Sequence, residues 1–172
     1  DVGLSGQQTL DGGYIILGYT RNDNWAYYWW LIKTDSEGNK VWERHLNYSI
    51  EGNSSSIAQV KQTFDGGYIL VGGRGNSTPY IGHLVKTNAV GIEEWVTDFN
   101  SAGRSVDQTA DGGYIITGAD MLAKVNSIGN VEWNQTIDGI DGYSVQQTLD
   151  GGYIVIGNTE TFNGNPELQL LK

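Results

Sequence analysis

The sequence has 172 residues, with no cysteine, two prolines and few positive charges. Without cysteine, disulfides and thiolate metal sites are excluded. The absence of cysteine does not indicate the cellular compartment, because stacked repeats can be stable without crosslinks. Ten Lys and Arg residues against twenty Asp and Glu residues give a net charge of −10. This surface does not neutralise phosphates, which excludes nucleic acids and anionic membranes as partners. No apolar run approaches the roughly 20 residues of a membrane-spanning helix.

Glycine, in contrast, is abundant, with 25 residues placed at recurring positions. This distribution predicts many tight turns and an all-β chain. The sequence begins at Asp1 without an initiator methionine or a signal peptide. We therefore expect a mature or excised piece of a protein.

One stretch of twelve residues, Gln7 to Gly18, recurs three more times with nearly the same sequence. The shared tyrosines are separated by 54, 46 and 39 residues, and they are Tyr14, Tyr68, Tyr114 and Tyr153. Repeats of about 40 to 50 residues with several strands each are typical of β-propeller blades. The sequence thus predicts an all-β, propeller-type array of four antiparallel, about four-stranded blades in a single domain, either open or part of a larger propeller. The predicted blades are about 1–49, 50–100, 101–138 and 139–172, the last of them incomplete.

Each repeat starts with a short polar strand, an Asp-Gly-Gly turn and a continuously apolar second strand such as Tyr14 to Tyr19. Asp-Gly between two strands is a strong hairpin signal, and we expect both turn residues to have positive φ. The apolar strand lacks polar alternation, which predicts burial on both faces.

The second half of each repeat is a third strand that ends in lysine, then an Asp/Asn-x-x-Gly turn, then a strand with a tryptophan at a fixed offset. The tryptophans are Trp42, Trp95 and Trp133, and the fourth repeat stops at Lys172, before its own copy. We therefore expect an open array whose last blade lacks a strand.

These motifs resemble the propeller repeats of large secreted and surface proteins of archaea and some bacteria. The Asp/Asn-x-x-Gly-x-x-x-Trp turn also resembles the tryptophan motif of quinoprotein-type blades. The resemblance covers the whole chain and implies a propeller. It implies little about function, because such blades serve enzymes, adhesins and scaffolds alike.

The repeated polar and aromatic residues are best interpreted as parts of the fold. The turn aspartates Asp11, Asp65, Asp111 and Asp150 have no second carboxylate at calcium-loop spacing, so we predict turn chemistry rather than a ring of cation ligands. The repeated tryptophans are predicted to pack between blades.

No motif indicates an enzyme. His45 and His83 occupy non-equivalent positions without a second ligand at metal-binding spacing, and the sequence contains no P-loop, nucleophile elbow or dinucleotide fingerprint. We predict no catalytic residue, no metal and no cofactor.

Four Asn-x-Ser/Thr sequons are candidate sites of N-glycosylation: Asn47, Asn53, Asn76 and Asn134. Three of them lie in or beside variable connections, where a sugar can reach solvent. This placement favours an extracellular or cell-surface glycoprotein.

An aromatic stretch between the second and third strands of the first repeat has no counterpart in the other repeats. It could be a partner interface, a cap over the open end of the array, or a platform for stacking sugars. The candidate residues are Trp25, Tyr27, Tyr28 and Trp29.

The function that we predict is a non-enzymatic extracellular or cell-surface structural module. It would assemble with itself or with other surface proteins, in the manner of a filament or surface layer, through strand addition to the incomplete last blade. The alternatives are a carbohydrate-binding adhesin or lectin-like propeller and a fragment of a quinoprotein-like enzyme.

Overall fold

A computed structural model describes residues 1–21, 27–50, 58–73, 81–159 and 167–171. These residues form thirteen antiparallel strands and no helix. The first six are β1 Val2–Gln8, β2 Tyr14–Arg21, β3 Tyr27–Thr34, β4 Lys40–Ile50, β5 Gln59–Gln62 and β6 Tyr68–Gly73. The others are β7 Gly82–Thr87, β8 Glu93–Phe99, β9 Gly103–Gln108, β10 Tyr114–Val125, β11 Val131–Gln147, β12 Tyr153–Thr159 and β13 Glu167–Leu171.

The strands form blades in chain order. The first sheet has the order β1-β2-β3-β4, the second has the order β5-β6-β7-β8, and a five-stranded sheet has the order β13-β12-β11-β10-β9. The long strand β11 belongs to two blades, because its first half pairs with β10 and its second half, from Ile140, pairs with β12. The fold is therefore an all-β, propeller-type array, as the repeat period predicted.

The second strands of the second and third blades are packed between two neighbouring blades. All six residues of β6 are buried. One cluster joins Ile15 and Leu17 of the first blade to Tyr68 and Leu70 of the second, and another joins Ile69 of the second blade to the third. Alternate residues of an interior second strand thus face the preceding and the following blade, which confirms the predicted burial on both faces for these blades. In the first and last blades one face of this strand is only partly covered, as Tyr14 and Ile156 show.

The hairpin turns differ from the expectation in one respect. Gly12 has a φ of +83°, but Asp120 is the sole residue other than glycine with positive φ in the described ranges, so Asp11 does not adopt the left-handed conformation. Gly12 N donates to Thr9 O at 2.9 Å and Thr9 N donates to Gly13 O at 2.8 Å. This is a type I turn closed by a left-handed glycine, and only the glycine needs positive φ. The other three Asp-Gly-Gly turns have the same hydrogen bonds.

All the tight turns lie at one end of the blades, because strand direction alternates within each blade. We call this the turn end. At the opposite end, which we call the loop end, the second strands of the first two blades end and their third strands begin.

Candidate functional site

The two terminal blades expose surfaces that are buried elsewhere in the array. The first tyrosine of the second strand packs on the preceding blade, so Tyr68 is 2% exposed and Tyr114 is 1% exposed. Tyr14 occupies the same position in the first blade and is 40% exposed. The difference arises because no blade within the described chain covers this side of the first blade.

We call this side of the first blade the first lateral face; it comprises Tyr14, Ile16, Trp30 and Ile32, and all except Tyr14 are half-buried. The equivalents of Ile16 in the next two blades, Leu70 and Ile116, are fully buried. Trp30 is held in place by its indole N–H, which donates to Glu43 Oε2 at 3.1 Å. The first lateral face is therefore a preformed, partly aromatic surface.

The last lateral face lies on the far side of the fourth blade and comprises Ile154 and Ile156. Ile156 is 42% exposed and Ile154 is half-buried. The corresponding residues of the first blade, Ile15 and Leu17, are fully buried against the second blade. The last lateral face thus carries the same apolar pattern that joins the interior blades.

At the turn end, a buried lysine holds each of the first three Asp-Gly-Gly turns. Lys86 Nζ lies 2.9 Å from Asp65 Oδ2 and 2.9 Å from Glu94 Oε2, and Lys124 makes the same pair of contacts with Asp111 and Glu132. Lys33 reaches Asp11 at 2.9 Å. These contacts join the first hairpin of a blade to its third strand and, in two blades, to its outer strand.

The turn carboxylates are strongly stabilised in the ionised form. Asp11 Oδ1 accepts hydrogen bonds from the Thr9 hydroxyl at 2.5 Å and the Gly13 amide at 3.1 Å. The Thr9 hydroxyl, the Lys33 ammonium and the Gly13 amide lower the pKa of Asp11 from 3.8 to about 2. Asp111 has a pKa of about 2 for the equivalent reasons. Turn chemistry, as predicted, is thus the role of these aspartates, and the described residues contain no cluster of three potential metal ligands.

The residue that precedes each turn aspartate points into solvent. The exposed fractions are 88% for Leu10, 73% for Phe64 and 110% for Leu149, and the shorter Ala110 is also exposed. The backbone amide of Leu10 donates to Gln62 Oε1 of the next blade at 2.8 Å, and Phe64 and Ala110 donate in the same way to Gln108 and Gln147. The tips of the first three blades are therefore anchored to the blade that follows.

More apolar side chains lie on the outer hairpin turns of the same end. Val90 is 48% exposed, Ile92 is 55% exposed and Ile128 is 69% exposed. Inner and outer turns adjoin, since a Cβ placed on Gly12 would lie 3.8 Å from the Cβ of Ser36. The turn end is thus a continuous surface with exposed apolar groups in each of the four blades.

An aromatic cluster joins the first two blades near the loop end. The Tyr48 ring lies 4.8 Å from the His83 ring and 5.3 Å from the Trp29 ring, measured between centroids. His83 Nδ1 contacts Asp98 Oδ1 at 2.7 Å. Burial and the hydrogen bond to Glu93 raise the pKa of Tyr48 well above its usual value. The phenol stays neutral, and the cluster functions as packing between blades.

The aromatic stretch of the first repeat is divided by the structure. Trp29 is 1% exposed and packs over Gly72 of the second blade, so it belongs to the core rather than to an interface or sugar platform. Tyr28 is half-buried and, two residues before Trp30, lies on the side of the first lateral face. For Tyr27 only the backbone is described, and Trp25 lies outside the described residues.

Two of the four sequons lie in described strands. Asn47 in β4 and Asn134 in β11 both have exposed side chains. Asn53 and Asn76 lie outside the described residues. Access of a sugar to the first two sites is compatible with their position on outer strands.

The repeated tryptophans pack between blades, as predicted. Trp42 meets Tyr68 at 5.8 Å between ring centroids, and Trp133 meets Tyr153 at 5.8 Å. Trp95 also lies against the next blade, because a Cβ on Gly129 would approach its ring to 2.8 Å. Each tryptophan therefore covers the tyrosine of the following blade.

Two features were not predicted from the sequence. One is the set of contacts of Lys33, Lys86 and Lys124 with the turn aspartates, which we call the lysine clamps, and the other is the pair of lateral faces. A signal for the clamps was present, since each third strand ends in lysine and Glu94 and Glu132 both directly precede the tryptophan. Tyr14, Ile16 and Ile154 of the lateral faces gave no such signal, because the other repeats have a tyrosine or an aliphatic residue at the same positions.

Comparison with solved structures supports the same architecture. A crystal structure of a protein of unknown function from Bacteroides caccae matches 99% of this chain with a TM-score of 0.57 at 11% identity. The WD40 domain of Pan2 from Neurospora crassa matches 99% of it with a TM-score of 0.52 at 9% identity. The fold is propeller-like. At these identities the likeness concerns the fold alone.

The chain spans 60% and 55% of the lengths of those two structures. No protein-family model matches the sequence, and no curated protein does. No helix in the described part of the chain is long and apolar enough to cross a membrane.

Proposed function

We propose that this chain is a non-enzymatic assembly module of an extracellular or cell-surface protein, and that its two lateral faces bind each other head to tail between copies. The observation that carries the proposal is the exposure of Tyr14, at 40%, where the equivalent Tyr68 and Tyr114 are buried at 2% and 1%. A blade-sized partner would restore the packing that the interior blades already have.

The two faces are complementary because they repeat the two sides of an interior junction. Tyr14 and Ile16 correspond to the residues that pack against the preceding blade at an interior junction. Ile154 and Ile156 correspond to the residues that pack against the following blade. When the first lateral face of one copy binds the last lateral face of another, the pair still has one unoccupied face of each kind. Such a heterologous interface produces a ring if the rotation closes and a filament if it does not.

Strand addition is a second part of the proposal. In the first two blades the third strands β3 and β7 pair with an outer strand, whereas β13 is the edge of its sheet within the described chain. The free backbone groups of an edge strand can pair with a strand from another molecule. The incoming strand would extend the fourth blade beside the last lateral face.

The test is a pair of single-face variants studied by sedimentation velocity. We expect the wild-type chain to associate as its concentration rises. Tyr14→Asp and Ile156→Asp should each be monomeric, because a buried, unpaired carboxylate is costly. An equimolar mixture should form a 1:1 dimer and nothing larger, since each variant keeps one intact face.

Val96→Asp is the matched control, because Val96 is 42% exposed on an outer strand away from both faces. It should associate like the wild type. A wild-type chain that stays monomeric at millimolar concentration would overturn the proposal, and so would a mixture of the two variants that contains monomers alone.

The extracellular setting is proposed from the sequons, of which Asn47 and Asn134 have exposed side chains. Expression in a host that N-glycosylates should add a glycan mass that is removed by Asn47→Gln combined with Asn134→Gln, or by extending the substitution to Asn53 and Asn76. Secreted protein that carries no glycan at any of the four positions would contradict this part of the proposal.

A further inference from the structure

The turn end presents a large, exposed apolar tip in the first, second and fourth blades, and the first two of these tips are bound by the blade that follows. Leu10, Phe64 and Leu149 are each at least 73% exposed. The amides of Leu10 and Phe64 are bound by glutamines of the next blade at 2.8 Å. The spacing between tips is thereby set by the blades, and little conformational entropy would be lost when a partner covers them.

The exposed charge around these tips is mostly carboxylate. The side chains of Asp11, Asp65 and Asp111 are 64%, 60% and 59% exposed, whereas their partners Lys33, Lys86 and Lys124 are at most 7% exposed. Glu94 and Glu132 add side chains that are 45% and 44% exposed. A molecule that approaches the turn end therefore meets apolar groups and anionic oxygen atoms, while the ammonium groups of Lys33, Lys86 and Lys124 lie beneath them.

We propose that the turn end is a docking surface for a basic and apolar polypeptide segment of another protein. Its apolar side chains would cover Leu10, Phe64 and Leu149, and its Lys or Arg side chains would pair with the carboxylates between the tips. Charge complementarity selects this occupant. A second copy of a chain with a net charge of −10 would place like charges together if it docked turn end to turn end.

This docking surface is separate from the two lateral faces. Tyr14 and Ile156 lie on the sides of the terminal blades, whereas the tips belong to the turns of all four blades. Binding at the turn end would leave head-to-tail association free to occur. The segment could therefore attach a further protein to an assembled array.

The experiment uses a defined probe, the acetylated and amidated octapeptide (Lys-Leu)₄ with a fluorophore, and follows its binding to the full chain by fluorescence anisotropy. We expect saturable binding that weakens as salt is raised, because part of the attraction is electrostatic. The peptides (Lys-Ser)₄ and (Glu-Leu)₄ lack one of the two required features each, and both should bind at least tenfold more weakly.

The site is tested by the triple substitution Leu10→Ser, Phe64→Ser and Leu149→Ser, with Val96→Ser as a control for an exposed apolar residue elsewhere. The triple variant should lose at least tenfold in affinity while keeping the circular dichroism spectrum of the wild type. Ile156→Asp should bind the peptide normally, which separates this site from the lateral faces.

Three results would overturn the proposal. Equal binding of (Lys-Leu)₄ and (Lys-Ser)₄ would mean attraction by charge alone. Unchanged binding by the folded triple variant would place the site elsewhere. Self-association that the triple variant abolishes would identify a second copy as the occupant of the turn end.

Discussion

The ring of Trp95 meets the ring of Tyr114 across the junction of the second and third blades, with centroids 5.7 Å apart and planes inclined by 61°. The Trp42–Tyr68 and Trp133–Tyr153 pairs at the neighbouring junctions are inclined by 62° and 60°, and aromatic pairs favour such inclined arrangements. This contact ties the outer strand of one blade to the second strand of the next and so determines how adjacent blades are oriented.

We expect Trp95→Ala to lower the free energy of unfolding by about 3 kcal/mol, because it removes a large side chain from an interior junction. Trp133→Ala is the matched comparison at the last junction, where Tyr153 is only half-buried, and it should cost less. Urea denaturation followed by circular dichroism measures both. An equal loss in the two variants would argue against the graded burial of the junctions.

A second prediction concerns two turn glycines with the same backbone conformation. Gly38 and Gly129 both have a φ of +88°, but a Cβ on Gly129 would lie 2.8 Å from the Trp95 ring, whereas a Cβ on Gly38 would meet nothing within 4 Å. Gly38→Ala should cost about 1–2 kcal/mol from backbone strain. Gly129→Ala should cost at least about 1 kcal/mol more, because the tryptophan must shift. Thermal unfolding of the two variants distinguishes strain from steric overlap.

Stability should depend on acid through the turn aspartates. Asp111 has a pKa of about 2 in the folded chain against an ordinary value of 3.8. A lowered pKa stabilises the fold at pH values above the ordinary value, and this contribution disappears as the pH falls from about 4 to about 2. The stability difference between the wild type and Asp111→Asn should therefore be largest at neutral pH and should shrink over that interval.

Urea titrations between pH 2 and pH 7 provide the measurement for Asp111→Asn. Glu37→Gln is the control, since Glu37 is an exposed carboxylate on the outer turn of the first blade, away from Asp111. A difference between wild type and Asp111→Asn that stays constant across this range would show that the carboxylate acts only through its shape.

Lys33 of the first repeat contacts one carboxylate, whereas Lys86 and Lys124 each contact two, so a second carboxylate can be added by substitution. Val41 stands where the second and third repeats have Glu94 and Glu132, and it is 60% exposed. Val41→Glu should bring a second carboxylate to Lys33 and raise the free energy of unfolding by about 0.5 kcal/mol at low salt. Val41→Gln has nearly the same shape without the charge, so an equal gain in both variants would exclude an ion pair as the cause.

Much of the fold could be predicted from local sequence. Short motifs that recur in the repeats predict the Asp-Gly-Gly turns, the buried second strands and the packing of Trp42, Trp95 and Trp133. The turn type was less predictable, because Thr9 and Gly13 satisfy the hydrogen bonds of Asp11 without requiring positive φ at that residue. The pairing of Lys33 with Asp11 also escaped prediction, since 22 residues separate them and only the sheet brings them together.

The sequence by itself determined the repeated blade, and the tertiary structure decided what each copy exposes. Tyr14 and Tyr68 stand in almost the same local sequence, yet one is 40% exposed and the other 2%. No local property distinguishes them, because burial depends on whether another blade lies alongside. The apolar tips at Leu10 and Phe64 show the converse, since the same position is exposed in every repeat and only the packing of successive blades makes those positions one surface.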